Sequence, residues 1–239
     1  MKPICDLHTH SVLSRHAYSS MTENIDAARK AGLKYYGISE HQPDDYGVGA
    51  MSFAFSAITR CPRWIDGVYV FRGCEFNILE NGLIDPAGVK TKNLDYGIAS
   101  FHAYAYHGEM DEETITNCYL NAMDYDFIKI LGHIDDGMYP TDFEKLVAKA
   151  HDTHKLIELN NSSLRENTFR KDVRKNLKEV LDLSVKYKQP IIINSDAHIL
   201  YEVGEFTNAE KLLKEVNFPD ELVLNYNEEL FKEYFTIEE

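Results

Sequence analysis

The sequence predicts an α/β fold whose parallel sheet closes towards a barrel, and three features of its 239 residues predict it. Seven short apolar runs rich in β-branched and aromatic residues recur along the chain. Helical patterns separate most of them, and a polar residue able to bind a metal or a ligand follows every one. Near-continuous apolar runs suit parallel strands buried on both faces, and strand alternating with helix is the pattern of a parallel sheet. Seven such strands in a chain of this length favour barrel-like closure over an open, doubly wound sheet.

The first run covers residues 3–7. Thr22 is placed to cap a helix that ends near Gly32. The second run, 34–39, leads into a segment rich in aromatic and small residues, 42–65, which reads as a long loop. Runs at 68–74 and 96–101 follow. Ile115, Cys118, Tyr119 and Ala122 then share one helical face. After the run at 127–132, Thr141 and Glu144 form a capping-box pattern ahead of Leu146, Val147 and Ala150. The run at 156–159 precedes a longer helix marked by Val173, Leu177, Val180 and Leu181, ending before Pro190. The last run is 191–195. Thr207 and Glu210 repeat the capping box, with Ala209, Leu212, Leu213 and Val216 as the apolar stripe.

No Ser/Gly-rich linker, low-complexity tract or repeat interrupts this order, so one domain over 1–239 is expected. The formal net charge is −14. Such a surface repels nucleic-acid polymers and anionic membranes at long range. The longest uncharged stretch, 46–59, is too short to span a bilayer. Cys5, Cys61, Cys74 and Cys118 form no C-x-x-C pair and read as free thiols. With no apolar run before the first charges, no secretory signal is expected, and the cytoplasm is the expected location.

The polar residues that follow the runs are not random. The first run leads into His8 and His10, the second into His41, the third into Glu75, the fourth into His102 and the fifth into His133. The sixth leads into Asn160 and Asn161, the seventh into Asp196 and His198. His16 lies a few residues beyond the first strand, where a loop can fold back over the mouth. In parallel α/β sheets the C-terminal strand ends carry the chemistry. Any one of these residues alone is as readily a hydrogen-bonded core histidine or a solvated carboxylate. Nine of them at successive strand ends are not, and imidazole with carboxylate is what zinc, manganese and iron bind. Nine ligands exceed one ion, so two or three are expected, with Glu75 a candidate bridge. His107, His151 and His154 fall outside the pattern and are read as structural or solvated.

The runs DLHTHS from Asp6, SEHQPD from Ser39, RGCEFN from Arg72, SFHAY from Ser100, LGHID from Leu131 and NSDAH from Asn194 resemble the motifs of the PHP (polymerase and histidinol phosphatase) superfamily. The likeness is strongest to its small bacterial YcdX-type phosphatases and spans nearly the whole chain. It implies a distorted (β/α)7 barrel with a trinuclear site at the C-terminal ends of the strands. By resemblance, His8, His10, Glu75 and Asp196 hold a first metal. Glu75, His102 and His133 hold a second, and His16, His41 and His198 a third. Zinc is the expected ion, with manganese or iron as alternatives. One departure is Glu40, which stands where the family often has Asp before its histidine. The resemblance also implies self-association, as a trimer.

The expected activity is therefore hydrolysis of a small phosphorylated metabolite, a monoester, by attack of a metal-bridging hydroxide, with Glu75, Asp196 and His133 at the reacting centre. Bound cations would answer the difficulty of an acidic protein meeting an anion. Arg15 and Arg165 are candidates for gripping phosphate, although Arg165 reads better as an ordinary surface arginine. The alternatives are a phosphodiesterase or nuclease acting on small nucleotides, and a non-catalytic metal-binding accessory domain.

Overall fold

The computed structural model describes residues 1–44 and 46–238. Seven parallel strands form the expected sheet. They are β1 (Cys5–Asp6), β2 (Tyr35–Ile38), β4 (Val68–Asn77), β5 (Tyr96–Ser100), β6 (Ile128–Leu131), β7 (Leu156–Asn160) and β8 (Ile191–Asn194), hydrogen-bonded in that order. A two-residue strand, β3 (Trp64–Ile65), pairs antiparallel with β4. The outer helices are α1 (Met21–Ala31), α2 (Ser52–Ala57), α3 (Glu112–Ala122), α4 (Phe143–Asp152), α5 (Val173–Tyr187) and α6 (Thr207–Glu215). The last helix, α7 (Glu228–Tyr234), follows them. Among the described residues no helix is long and apolar enough to cross a membrane.

The barrel is nearly closed. Between β1 and β8 the ladder is replaced by the side chain of Asn225. Its Nδ2 donates to Cys5 O at 2.9 Å and Ile193 O at 2.8 Å, and its Oδ1 accepts from Ile193 N at 2.7 Å. One fully buried amide thus satisfies backbone groups on both edges, groups that would otherwise lack partners. Higher up, Thr9 pairs with Ala197 in a single parallel bridge.

Two apolar layers follow from the period-two pleat. Residues such as Tyr36, Ile157 and Ile193 face the outer helices. Tyr35, Phe71, Ile98, Ile130, Leu156 and Ile192 face inward and meet Phe231, Tyr234 and Phe235, so α7 and the residue after it plug the N-terminal end. Gly73 has no room for a side chain, because a Cβ there would lie 2.3 Å from the Tyr96 ring. That clearance lets Tyr96 reach across the interior and donate its hydroxyl to Leu7 O at 2.6 Å.

Three caps differ from expectation. The first helix is capped by Ser20, in a full capping box with Glu23, and Thr22 lies inside it. The α4 cap is Asp142, which accepts from Lys145 N, while the Thr141 hydroxyl donates to Tyr139 O. Thr207 is the first residue of α6, whose N-cap, Phe206, makes no side-chain cap bond. In the first two a polar residue one or two positions away had the extended backbone that the cap needs, and at α6 Asn161 Oδ1 accepts from Asn208 N and Ala209 N instead. The segment 42–65 is not all loop, since it contains α2 and β3. Its aromatic spacing is too short for periodicity to reveal a six-residue helix.

If Asn225 closes the barrel, Asn225→Leu leaves three buried backbone groups without partners, at about 1–3 kcal/mol each. The urea midpoint should fall by an amount corresponding to roughly 3 kcal/mol or more with an unchanged m-value. A midpoint equal to that of the native protein would show that the seam is held by something else.

Candidate metal centre at the strand ends

Backbone pairing brings the candidate ligands into register. Thr9 and Ala197 are bridged, so His8 and His10 on one side lie beside Asp196 and His198 on the other. His41 is bridged to Glu75 in the same way. Glu75 is not beyond its strand, as the apolar run suggested, but within β4, which continues to Asn77. It lies two pleats above Phe71 on the inward face, and its carboxylate enters the barrel mouth.

Glu75 is the hub. Its Oε2 lies 3.3 Å from His8 Nε2, 3.5 Å from His10 Nε2 and 2.9 Å from His41 Nδ1. Its Oε1 lies 3.4 Å from His102 Nε2 and 3.1 Å from His133 Nε2. Asp196 Oδ1 completes one face, 3.6 Å from His8 Nε2 and 3.4 Å from His10 Nε2. Further out, His16 Nε2 and His198 Nε2 are 2.8 Å apart, and His41 stacks between His10 and His16. All nine expected residues are thus brought together. His107 bonds the Tyr46 hydroxyl, His151 sits in the last turn of α4 and His154 stacks on Tyr234, none of them in this group.

The group fits divalent cations. His8 Nε2, His10 Nε2, His41 Nδ1 and Glu75 Oε2 are buried and without a hydrogen-bond partner among the described residues. Leaving such atoms unpaired is costly, and a cation is the partner that suits them all. A tetrahedral ion with bonds of about 2.0–2.1 Å separates its ligands by roughly 3.3–3.4 Å. The four contacts of His8 and His10 with Glu75 and Asp196 span 3.3–3.6 Å. The triads His8–His10–Glu75, His41–Glu75–His102 and His10–His41–His198 each present ligand atoms close enough to share an ion.

Several rings are held by their second nitrogen. His8 Nδ1 meets Glu158 Oε1 at 2.7 Å and His102 Nδ1 meets Asn77 Oδ1 at 2.7 Å. His16 Nδ1 meets Ser14 O at 2.6 Å, and His198 Nδ1 meets Asp196 O at 3.0 Å. In each, Nδ1–H donates and Nε2 is left with its lone pair towards the mouth. Glu40, the departure from the family pattern, acts through serines. It accepts from Ser11 N at 3.1 Å and from the Ser14 hydroxyl at 2.5 Å, and Ser14 Oγ in turn accepts from His41 N at 3.1 Å. The longer acid therefore anchors the loop that carries His16.

Charge and burial act against each other here. Burial alone would raise the carboxyls of Glu75 and Asp196, but neighbouring imidazoles hold both well below the usual carboxylate range. Burial lowers the His102 imidazole to about 4, and together with His41 and His198 it holds His10 well below the usual histidine value. Burial would lower His8 too, yet the carboxylates of Glu158, Glu75 and Asp196 outweigh it and hold that ring well above. The two carboxylates are thus held anionic and the His10 and His102 rings neutral, the protonation states that metals require. Asp196 and His133 both have positive φ, 53° and 29°. His133 is pinned there by its N–H donating to Glu158 Oε2 at 2.8 Å. Local strain of this kind gathers at functional sites.

A family model described as PHP domain matches residues 6–235. The chain belongs to the PHP domain family. A probable phosphatase of Clostridium botulinum strain Langeland is 37% identical over 236 residues, covering 98% of this PHP chain and 95% of its own. One from Clostridium acetobutylicum is 39% identical over 238 residues, with the same coverage. Among solved structures, the histidinol phosphate phosphatase of Lactococcus lactis, complexed with zinc, L-histidinol and phosphate, superposes with a TM-score of 0.63 at 17% identity. That match covers 91% of this chain and 95% of the other, and at this identity it is a likeness of fold.

Two residues of this PHP chain escaped the sequence reading. Glu158, fully buried in β7, accepts from Asn194 Nδ2, Asn160 Nδ2 and His133 N and meets His8 Nδ1. Its signal was a charge inside an apolar run, two positions from Asn160. Arg170 is only 10% exposed as a side chain and lies 3.4 Å from Asp196 Oδ2, with Nη1 donating to Ser163 Oγ at 2.6 Å. Nothing in the sequence distinguishes it from the cations around it. Arg15 is exposed on the loop before His16, and Arg165 lines the cleft.

Glu158→Gln should loosen the orientation of His8 and weaken zinc binding by about 10–100-fold. Chelator competition measures this, with circular dichroism reporting that the barrel is intact. Native affinity in a folded variant would remove Glu158 from the site.

Proposed function

We propose that this PHP chain is one domain, a metal-dependent phosphoesterase that hydrolyses small phosphate monoesters. The carrying observation is the convergence of orphaned nitrogen and carboxylate atoms on Glu75 at the barrel mouth. The names of its relatives, probable phosphatases, support the reading, as does a fold shared with an enzyme complexed with zinc and phosphate.

Zinc is the ion we favour, and three positions the number. His8, His10, Glu75 and Asp196 would hold one, Glu75, His102 and His133 a second, and His16, His41 and His198 a third. Such ions would supply Lewis acidity to the phosphoryl oxygens and make water acidic enough to attack near neutral pH. The residues do the rest. Glu158 keeps the proton on His8 Nδ1, and Asn77 keeps one on His102 Nδ1, so both rings present lone pairs. Arg170, charged at any working pH, faces the cleft beside Asp196 and offers donors to a phosphoryl oxygen. The cleft has a volume of about 370 Å³, which suits a small ester and not a polymer.

The test compares a chromogenic phosphate monoester with its diester, with and without chelator. Monoester turnover should dominate and vanish on chelation. Glu75→Gln should lower it by more than about 100-fold, beyond the effect of losing a supporting contact. His151→Ala should leave it near native. Equal behaviour of the two variants, or turnover that survives chelation, would overturn the reading.

A further inference from the structure

The charges lining the cleft bear on the leaving group, and the inference drawn from them rests on the phosphatase reading. Two carboxylates line the described cleft, Glu75 and Asp196. Both are committed, Glu75 to the imidazoles around it and Asp196 to His8, His10 and Arg170. No other acidic side chain lines it among the described residues. Two arginines do, Arg165 and Arg170. In a chain with a net charge of −14, two arginines on one wall, each with donors to spare beyond its carboxylate partner, are the cationic groups the cleft offers a ligand among the described residues.

The two arginines occupy different depths. Arg170 is nearly buried and touches Asp196, a candidate ligand at the reacting centre. Arg165 is 35% exposed as a side chain. Its Nη2 lies 2.9 Å from Glu202 Oε1, and the other oxygen of that carboxylate accepts from His198 N at 3.0 Å. Glu202 is not among the residues that line the cleft. It ties Arg165 to the backbone of His198, using one edge of a guanidinium that has five donors. Ser162, Asn167 and Thr168 line the same wall and add neutral polar groups. A phosphoryl group needs Arg170 and the cluster. Arg165 is a second cation, further out, where the leaving group must lie.

We infer that the substrate carries a second anionic group on its leaving portion, a carboxylate or another phosphate, and that Arg165 is the residue that selects it. A leaving portion bearing an ammonium group would meet two guanidiniums and, among the described residues, no uncommitted carboxylate, so the site disfavours amino-alcohol phosphates. Like-charge juxtaposition of this kind is an effective means of rejecting a ligand.

Phosphonates, whose C–P bond resists hydrolysis, test this by calorimetric binding to the zinc-loaded protein, independently of turnover. The matched set is 3-phosphonopropionate, propylphosphonate and 3-aminopropylphosphonate, with propane-1,3-bisphosphonate added to tell a second phosphate from a carboxylate. Affinity should fall from the ligands with a second anionic group, through the one with an uncharged alkyl tail, to the one with an ammonium tail, with at least a tenfold span. Arg165→Gln should compress that span to less than about threefold, mainly by weakening the carboxylate and bisphosphonate ligands. Equal affinities across the set would overturn the inference while leaving the phosphatase reading standing, as would a span that Arg165→Gln leaves unchanged. Failure of every phosphonate to bind would overturn both.

Discussion

A carboxylate buried at the centre of a protein must find positive charge or give up its own. Glu75 is fully buried and surrounded by the rings of His8, His10, His41, His102 and His133, and much of the barrel mouth follows from accommodating it. Rings on opposite sides approach its two oxygens separately, so its charge is shared between two groups of imidazoles. Several ring nitrogens are buried without a hydrogen-bond partner among the described residues. A divalent cation is a partner that would complete that arrangement. Binding one there would link folding to ligand binding.

The cluster is held open by what lies beneath it. The pleat puts every second residue of each strand inside the barrel, so one strand carries apolar packing low down and chemistry at the top. In β7, Leu156 packs against the plug and Glu158 two residues later supports His8 and His133. In the last strand Ile192 packs, Asn194 bonds Glu158 and Leu7 N, and Asp196 faces the rings. The aromatic plug of Phe231, Tyr234 and Phe235 seals the opposite end. The rigid half and the reactive half are thus parts of the same strands, which fixes ligand positions more closely than loops would.

The strands and the residues at their ends were legible because they obey local rules. Apolar runs mark strands, and a histidine or acid just past each run has few other reasons to recur. What was hidden depends on geometry that no local pattern carries. Glu158 was absorbed into an apolar run because only the closed barrel brings it to His8, from a residue 150 positions away. Arg170 lies among other cations, and only folding buries it against Asp196. The closing amide of Asn225 sits in a short helical turn near the C-terminus with no motif around it. Helix starts were misplaced by one or two residues for a related reason. Ser20, Thr22, Thr141 and Asp142 are all chemically able to cap, and the backbone path chooses among them.

Anomalous X-ray scattering at the zinc edge, from crystals of protein purified without chelator, tests the role of Glu75 most directly. Separate peaks should lie about 2.0–2.2 Å from each of its two oxygens, one shared with His8, His10 and Asp196 and the other with His102 and His133. A third should lie near His16 and His198. A single peak, or strong peaks that leave both Glu75 oxygens without metal, would contradict a bridging carboxylate as the centre of the site.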